Sequence, residues 1–247
     1  MLKHTLSCTI AVLALTATSS QGDSGTHWGY AGEAGPAQWG EIDPKFVPCS
    51  AGLNQSPIDI AATIDAELPP IKVSYGTAGT EILNNGHTIQ VNVAPGSTIA
   101  LDGKTFELKQ FHFHAPSENL IEGRSHPLEA HFVHGDADGH LAVIGVMFAE
   151  GDENPTIAAL WEAMPTQAGA KQALAKPVDP NALMPADQDY YRYNGSLTTP
   201  PCTEGVRWLV MKAPLTISKA QAETFMAAMH GPTNRPVQRV NARPVLR

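Results

Sequence analysis

Basic residues are scarce in this chain, and the scarcity removes whole classes of partner. Sixteen Lys and Arg stand against 24 Asp and Glu, a net charge of −8 at pH 7, and no cationic cluster interrupts it. Nucleic acid and anionic membrane surfaces both attract basic patches, so no nucleic-acid partner is expected. Long apolar runs are missing too. The stretch "LSCTIAVLALTA" has twelve residues, where a helix crossing a bilayer needs about 20, so no membrane span is expected. Internal repeats and low-complexity tracts are absent, which sets aside solenoids and fibrous folds. Cysteine is sparse, three in 247 residues, whereas Gly (21) and Pro (20) are plentiful and spread along the chain. That balance favours many turns over long helices.

The first residues read as an export signal. "MLKH" is a positive start, the twelve-residue apolar stretch follows, and "TATSS" supplies small residues for cleavage. We take residues 1–20 as a signal peptide and residues 21–247 as one domain, destined for the periplasm or for secretion. Removing the signal takes Cys8 with it and leaves Cys49 and Cys202 in an oxidising compartment. They are expected to be bridged. A loop of that length stabilises by roughly 5 kcal/mol in the chain-entropy model.

Residues 21–55 are rich in Gly, Trp and Pro without periodicity and read as an irregular arm packed on a body. From about 57 to 150, short β-type runs alternate with turn signals: "IKVSY", "HTIQVNV", "STIALDGKTFEL", "QFHFH", "LEAHFVH" and "LAVIGVMF". Strands return at "VRWLVM". Two helices are expected. One is capped by Asn154 with Pro155 in its first turn, and Ile157, Leu160, Trp161 and Met164 form its apolar stripe. The other opens with a Ser218/Gln221 capping box and turns Ala222, Phe225, Met226 and Met229 inward.

Five of the ten histidines fall within "QFHFHAPSENLIEGRSHPLEAHFVH", residues 110–134. Side chains alternate along a strand, so Gln110, His112 and His114 share one face and Phe111 and Phe113 the other. The second segment divides likewise, with Glu129, His131 and Val133 opposite Ala130, Phe132 and His134. If these strands pair, His112, His114 and His131 converge as the three ligands of a tetrahedral zinc ion whose fourth position stays open. Metal-bound imidazole gives its other N–H to a carboxylate, amide or carbonyl group, and Gln110 and Glu129 are placed to receive it. The alternatives are a solvated polar face and a cupin-type metal protein, for which "HFHAPSE" would make Glu118 a ligand. A second stretch, "YNGSLTTPPCTEGVRWLV", combines Thr198 and Thr199 with two prolines that end any strand ladder and with Cys202.

In order along the chain, "HWGY", "GPAQW", "NQSPIDI", "ILNNGHTIQV", "QFHFHAPSE", "LEAHFVH", "LAVIGVMF", "YNGSLTTPPCTEGVRW" and "RPVQRVNAR" resemble the α-class carbonic anhydrases, in particular their bacterial, exported members. The resemblance implies a mostly β (α+β) fold, a single domain on a central twisted, mostly antiparallel sheet of about ten strands with a few peripheral helices. It also implies cis peptides at Ser56–Pro57 and Pro200–Pro201. The implied activity is reversible hydration of CO2 to bicarbonate by attack of zinc-held hydroxide, with zinc on His112, His114 and His131. In that assignment Thr198 accepts a hydrogen bond from the hydroxide and passes its own proton toward Glu118. The Thr198 N–H and Thr199 face the substrate, and Val133, Val143, Leu197, Val206 and Trp208 form the apolar wall for CO2. His87 matches the proton shuttle, with Tyr30, Asn85 and Gln90 ordering water. Strict alternation would put His87 on the apolar side with Ile89 and Val91, so the role needs a break after Gly86. Of the remaining histidines, His126, His134, His140 and His230 are expected to be surface or structural. Inhibition by anions and sulfonamides is implied and a homodimer is allowed. An acatalytic carbonic-anhydrase-like binding module would lack a zinc histidine, and none is missing here.

Overall fold

The computed structural model describes residues 27–247; the expected signal peptide, residues 1–20, lies outside them. Four α-helices occur in that span: α1 (Trp39–Ile42), α2 (Pro48–Ala51), α3 (Pro155–Glu162) and α4 (Lys219–Ala228). The strands are β1 (Asp59–Ile60), β2 (Lys72–Ser74), β3 (Gly79–Asn84), β4 (Ile89–Val93), β5 (Thr98–Leu101), β6 (Lys104–His114) and β7 (Leu120–Ile121). After them come β8 (Leu128–Gly135), β9 (Leu141–Glu150), β10 (Lys171–Val178), β11 (Tyr190–Ser196), β12 (Glu204–Met211) and β13 (Leu215–Ile217).

Eleven of these strands form one sheet in the order β10-β3-β4-β6-β8-β9-β12-β11, with β5 added on β6, β2 on β5 and β13 on β9. Within this sheet only β9 with β12 and β9 with β13 pair in parallel, and the other pairings are antiparallel; β1 and β7 form a separate parallel pair. The mostly antiparallel, β-dominated expectation holds. The long strands β6 and β8 sit at its centre, and their alternation sorts the histidine stretch into two faces. Phe111, Phe113, Ala130 and Phe132 are fully buried in the main core. Each phenylalanine buried there contributes roughly 1.5–3 kcal/mol.

Both expected helices form with the expected caps. The Asn154 side chain accepts the N–H groups of Thr156 and Ile157, and Ser218 with Gln221 makes a full capping box. Gln221 also donates from Nε2 to the Asn154 carbonyl at 2.8 Å, tying α4 to the start of α3. The N-terminal arm differs from its irregular reading, since it holds the single helical turns α1 and α2 packed around Trp39. Cys49 and Cys202 are joined, stapling this arm to the 196–204 loop. Ser56–Pro57 and Pro200–Pro201 are cis, and so is Ala115–Pro116, which was not anticipated. Strands β1, β3, β7, β10, β11 and β13 also lie outside the expected runs. β10 reads "KQALAKPV" and is exposed at six of eight positions, so it carries no alternation to detect. Pairing with β3 makes it a strand.

His134 is structural rather than exposed. Its Nδ1 lies 3.2 Å from the Ala142 carbonyl and its Nε2 2.8 Å from the Tyr75 hydroxyl, an arrangement one neutral tautomer satisfies by donating to the first and accepting from the second. Burial lowers its pKa to about 4. Because the folded value is depressed, this contribution is whole above about pH 6.5 and is lost as pH falls through about 4, on the order of 3 kcal/mol. Denaturant midpoints compared between pH 7 and pH 4 should shift less in His134→Leu than in the wild type. Equal shifts would show that His134 does not carry the acid sensitivity.

Candidate metal centre

Strand pairing brings the imidazoles together. His112 on β6 lies directly opposite His131 on β8, and His114 is two residues further along the same face. Each of the three rings offers a nitrogen, and these atoms lie within 4.8 Å of one another. The opposite nitrogen of each ring faces an oxygen. His112 Nδ1 is 2.8 Å from Gln110 Oε1, and His114 Nδ1 is 2.6 Å from the Thr233 carbonyl oxygen. Glu129 Oε1 lies 2.9 Å from His131 Nε2, near enough for an ion pair but off the N–H line, so no aligned hydrogen bond forms. What remains facing inward is Nε2 of His112, Nε2 of His114 and Nδ1 of His131.

A metal fits these residues. His114 Nε2 is buried with no hydrogen-bond partner, as is Glu118 Oε2. A buried polar atom left unpaired costs about 1–3 kcal/mol, which a cation between the rings would offset. Burial is the largest cause that lowers the pKa of all three imidazoles, and the neighbouring rings add to it for His112 and His131. Each is therefore neutral at pH 7, the state in which imidazole ligates. Three neutral nitrogen donors and no sulfur in the cluster match an open zinc site.

Glu129 is held on every side. Its Oε2 accepts the backbone N–H groups of Glu118 and Asn119 at 2.8 and 2.9 Å, and its Oε1 accepts the Asn119 side-chain amide at 2.8 Å. Burial pushes its carboxyl upward while the Asn119 donors oppose that. Gly145 on β9 makes the room, since a Cβ there would come within 3.0 Å of Glu129 Oε1. Asn119 escaped the sequence reading, although it follows Glu118 directly in "PSEN". Thr233 escaped as well, because it acts through its carbonyl oxygen and leaves no side-chain signature.

Glu118 is not part of the ligand group among the described residues. Its Oε1 accepts the Arg235 backbone N–H at 2.8 Å, and its Oε2 stands 3.5 Å from His114 Nε2 and 3.8 Å from His131 Nδ1. The cupin-type assignment of Glu118 therefore fails. Burial raises its pKa well above the ordinary range, while the Arg235 N–H and the nearby Thr198 hydroxyl favour the charged form. The Thr198 hydroxyl is close enough to influence the Glu118 carboxylate, but no aligned hydrogen bond is made at Oε2. Thr198 is buried in the loop between β11 and β12. Bonds from Leu197 N–H to the Thr203 carbonyl (3.0 Å) and from Cys202 N–H to the Thr199 carbonyl (2.9 Å) close that loop.

A cleft of about 150 Å³ opens over the triad, lined by Trp28, Tyr30, Asn85, His87, Gln90, Gln110, His112, His114 and Thr199, among others. A larger hollow of about 390 Å³ shares none of these residues and contains no His, so the smaller one is where chemistry is sought. Val143, Val206 and Trp208 are buried together, with Val133 and Leu197 packed against them, and the Trp208 ring stands 4.8 Å from that of His131. They flank the triad rather than line the cleft.

His87 reaches the cleft because the chain breaks before β4. Gly86 takes φ +88°, and Asn85 Oδ1 accepts the N–H groups of both His87 and Thr88 at 2.9 Å. The half-buried ring lies flat on Trp28, 3.6 Å between centroids and 7° between planes. Burial lowers its pKa, and repulsion from His27 adds to that. Asn85 Nδ2 contacts Gln90 Oε1 at 3.4 Å, and the Tyr30 hydroxyl is buried without a partner.

Comparison with known proteins bears on this arrangement. The family model for eukaryotic-type carbonic anhydrase matches residues 34–247. A carbonic anhydrase of Pectobacterium carotovorum is 47% identical over 237 residues, covering 96% of this chain and 97% of that protein. One from Neisseria gonorrhoeae is 48% identical over 239 residues, covering 96% and 94%. The solved α-carbonic anhydrase of Thermovibrio ammonificans, in complex with the inhibitor sulfanilamide, superposes with a TM-score of 0.89 at 49% identity, over 91% of this chain and 100% of that one. Likeness of this extent, over nearly the whole described chain, means that the chain belongs to the α-class carbonic anhydrases, zinc-dependent lyases that hydrate CO2 reversibly to bicarbonate.

Proposed function

We propose that hydration runs at a zinc ion held by Nε2 of His112, Nε2 of His114 and Nδ1 of His131. The observation that carries this is the convergence of three ring nitrogens, from the half-buried His112 and the buried His114 and His131, whose opposite nitrogens each face a fixed oxygen. Held there, zinc would supply Lewis acidity and make water acidic enough to act as a nucleophile near neutral pH.

The chain's own groups do the rest. Gln110, Thr233 and Glu129 hold the three rings in orientation. Thr198 turns its hydroxyl proton to Glu118 and so presents a lone pair toward the attacking oxygen, selecting the direction from which it meets the carbon of CO2. The Thr198 N–H and Thr199 meet an oxygen of the substrate. Val133, Val143, Leu197, Val206 and Trp208, packed beside the triad rather than along the cleft, supply an apolar side to the metal position that suits CO2, a molecule with little hydrogen-bonding capacity. His87 takes up the proton that each turnover releases and hands it to buffer, with Tyr30, Asn85 and Gln90 ordering the water between. A lowered pKa suits the second half of that task, since a proton held loosely leaves readily. Residues 1–20 direct the chain to the periplasm or outside the cell, where the Cys49–Cys202 bridge persists.

A CO2-hydration assay with zinc measured in parallel tests the reading, and a sulfonamide should inhibit. A zinc-free preparation that hydrates CO2 at full rate would sink it. His87→Ala should lower turnover in weak buffer by up to about 10²-fold and recover on adding imidazole. Equal rates for wild type and variant in both buffers would remove His87 from the proton path.

A further inference from the structure

Arg235 has no part in the mechanism above, yet it is among the largest fully buried side chains, 1% exposed. No carboxylate pairs with its guanidinium in a salt bridge among the described residues, and its Nε is left without a hydrogen bond. A buried cation with no ion-pair partner is costly, and one retained inside a fold calls for an account.

Its contacts supply one. Nη1 donates to Gln55 Oε1 at 2.9 Å and to the Ser56 carbonyl at 2.7 Å, and Nη2 donates to the Cys49 carbonyl at 2.7 Å. The Trp39 ring lies 5.6 Å beneath it. The backbone N–H of the same residue is what Glu118 Oε1 accepts. Gln55, gripped by the guanidinium, donates in turn to the Cys202 carbonyl at 3.0 Å, four residues past Thr198 in the short closed loop. One residue therefore references both halves of a pair to the same point: Glu118 through its backbone, and the Thr198 loop through Gln55.

We propose that Arg235 is a positioning residue for CO2 hydration, holding Glu118 and the Thr198 loop at the separation at which the Thr198 hydroxyl can donate to the carboxylate. The proposal rests on the Glu118 and Thr198 roles stated above. It differs from a role in folding alone, because it requires the effect of Arg235 to pass through Thr198. The imidazoles are untouched by the guanidinium. Thr233 keeps its own ties to the end of β6, from its N–H to the Ala115 carbonyl at 2.9 Å and from the Ala115 N–H to its Oγ1 at 3.2 Å. Metal content should thus survive loss of the guanidinium.

A double-mutant cycle decides it. Arg235→Lys keeps the charge but not the fork, so it should bind zinc like the wild type, keep KM for CO2, and lose about 10–10²-fold in kcat, as misplacement of about 1 Å does elsewhere. Placed on Thr198→Ala, the same substitution should cost under about twofold further, because coupled residues are not additive. Gln55→Leu, which severs the link to Cys202, should act in the same direction and with the same dependence on Thr198, and serves if Arg235→Lys does not fold. Undiminished kcat in folded Arg235→Lys, or losses that multiply in the double variant, would overturn the proposal. Failure of both variants to fold would overturn it too, making the cation a folding determinant. A Thr198→Ala enzyme that alone runs at the wild-type rate would instead strike down the Thr198 role itself.

Discussion

His112→Ala should lose bound zinc and CO2 hydration together. His112 is one of three donors, and removing it leaves two imidazoles and no tetrahedral set. The fold should survive, because the ring sits on the cleft side of β6 while Phe111 and Phe113 hold the other side in the core. Zinc content by elemental analysis and stopped-flow CO2 hydration on the same preparation give the comparison. Gln110→Ala should do less, about 10–100-fold in metal affinity, since Gln110 orients His112 without being a ligand. The order of the two effects carries the information. A His112→Ala protein that holds a full complement of zinc and runs at full speed would place the metal elsewhere.

Thr198→Ala should keep its zinc and still slow by roughly 10²–10³-fold, the cost of deleting one preorganised hydrogen-bonding group from a dry site. The direction of the hydroxyl's bond is what matters. A hydroxyl has one proton, and Glu118 can act as its acceptor because Glu118 Oε1 is already occupied by the Arg235 N–H while Oε2 is free. With its proton committed, Thr198 can only accept from the attacking oxygen. Alanine removes that acceptor, and the nucleophile samples orientations that do not lead to product. The expected signature is a fall in kcat with zinc content and thermal stability near wild type. A Thr198→Ala enzyme as fast as the wild type would end the Glu118–Thr198 relay.

Much of the site was legible beforehand because it depends on strand alternation. In "QFHFH" and "LEAHFVH" a period of two assigns imidazoles to one face and apolar groups to the other, and antiparallel pairing of β6 with β8 then sets His112 opposite His131. The caps of α3 and α4 were legible for the same local reason. His87 was a partial case. Its strand period argued against the cleft, and the Asn85–Gly86 turn, which breaks that period, restored it. Strand β11 was not legible, since "YYRYNGS" becomes a strand by pairing with β12 rather than through its own pattern.

By itself, then, the chain's residue order determined which side chains could ligate a metal, which faces they occupy, where the two main helices begin, and which family the motifs resemble. Tertiary structure alone decided the second layer: the Thr233 carbonyl on His114, Asn119 around Glu129, and the Arg235 N–H on Glu118. The reason is physical. Every residue but proline carries the same backbone N–H and carbonyl, so nothing in a residue's identity says where those groups will point. Only the course of the backbone, just after β6 for Asn119 and from α4 back past the end of β6 for Thr233 and Arg235, delivers them to the site.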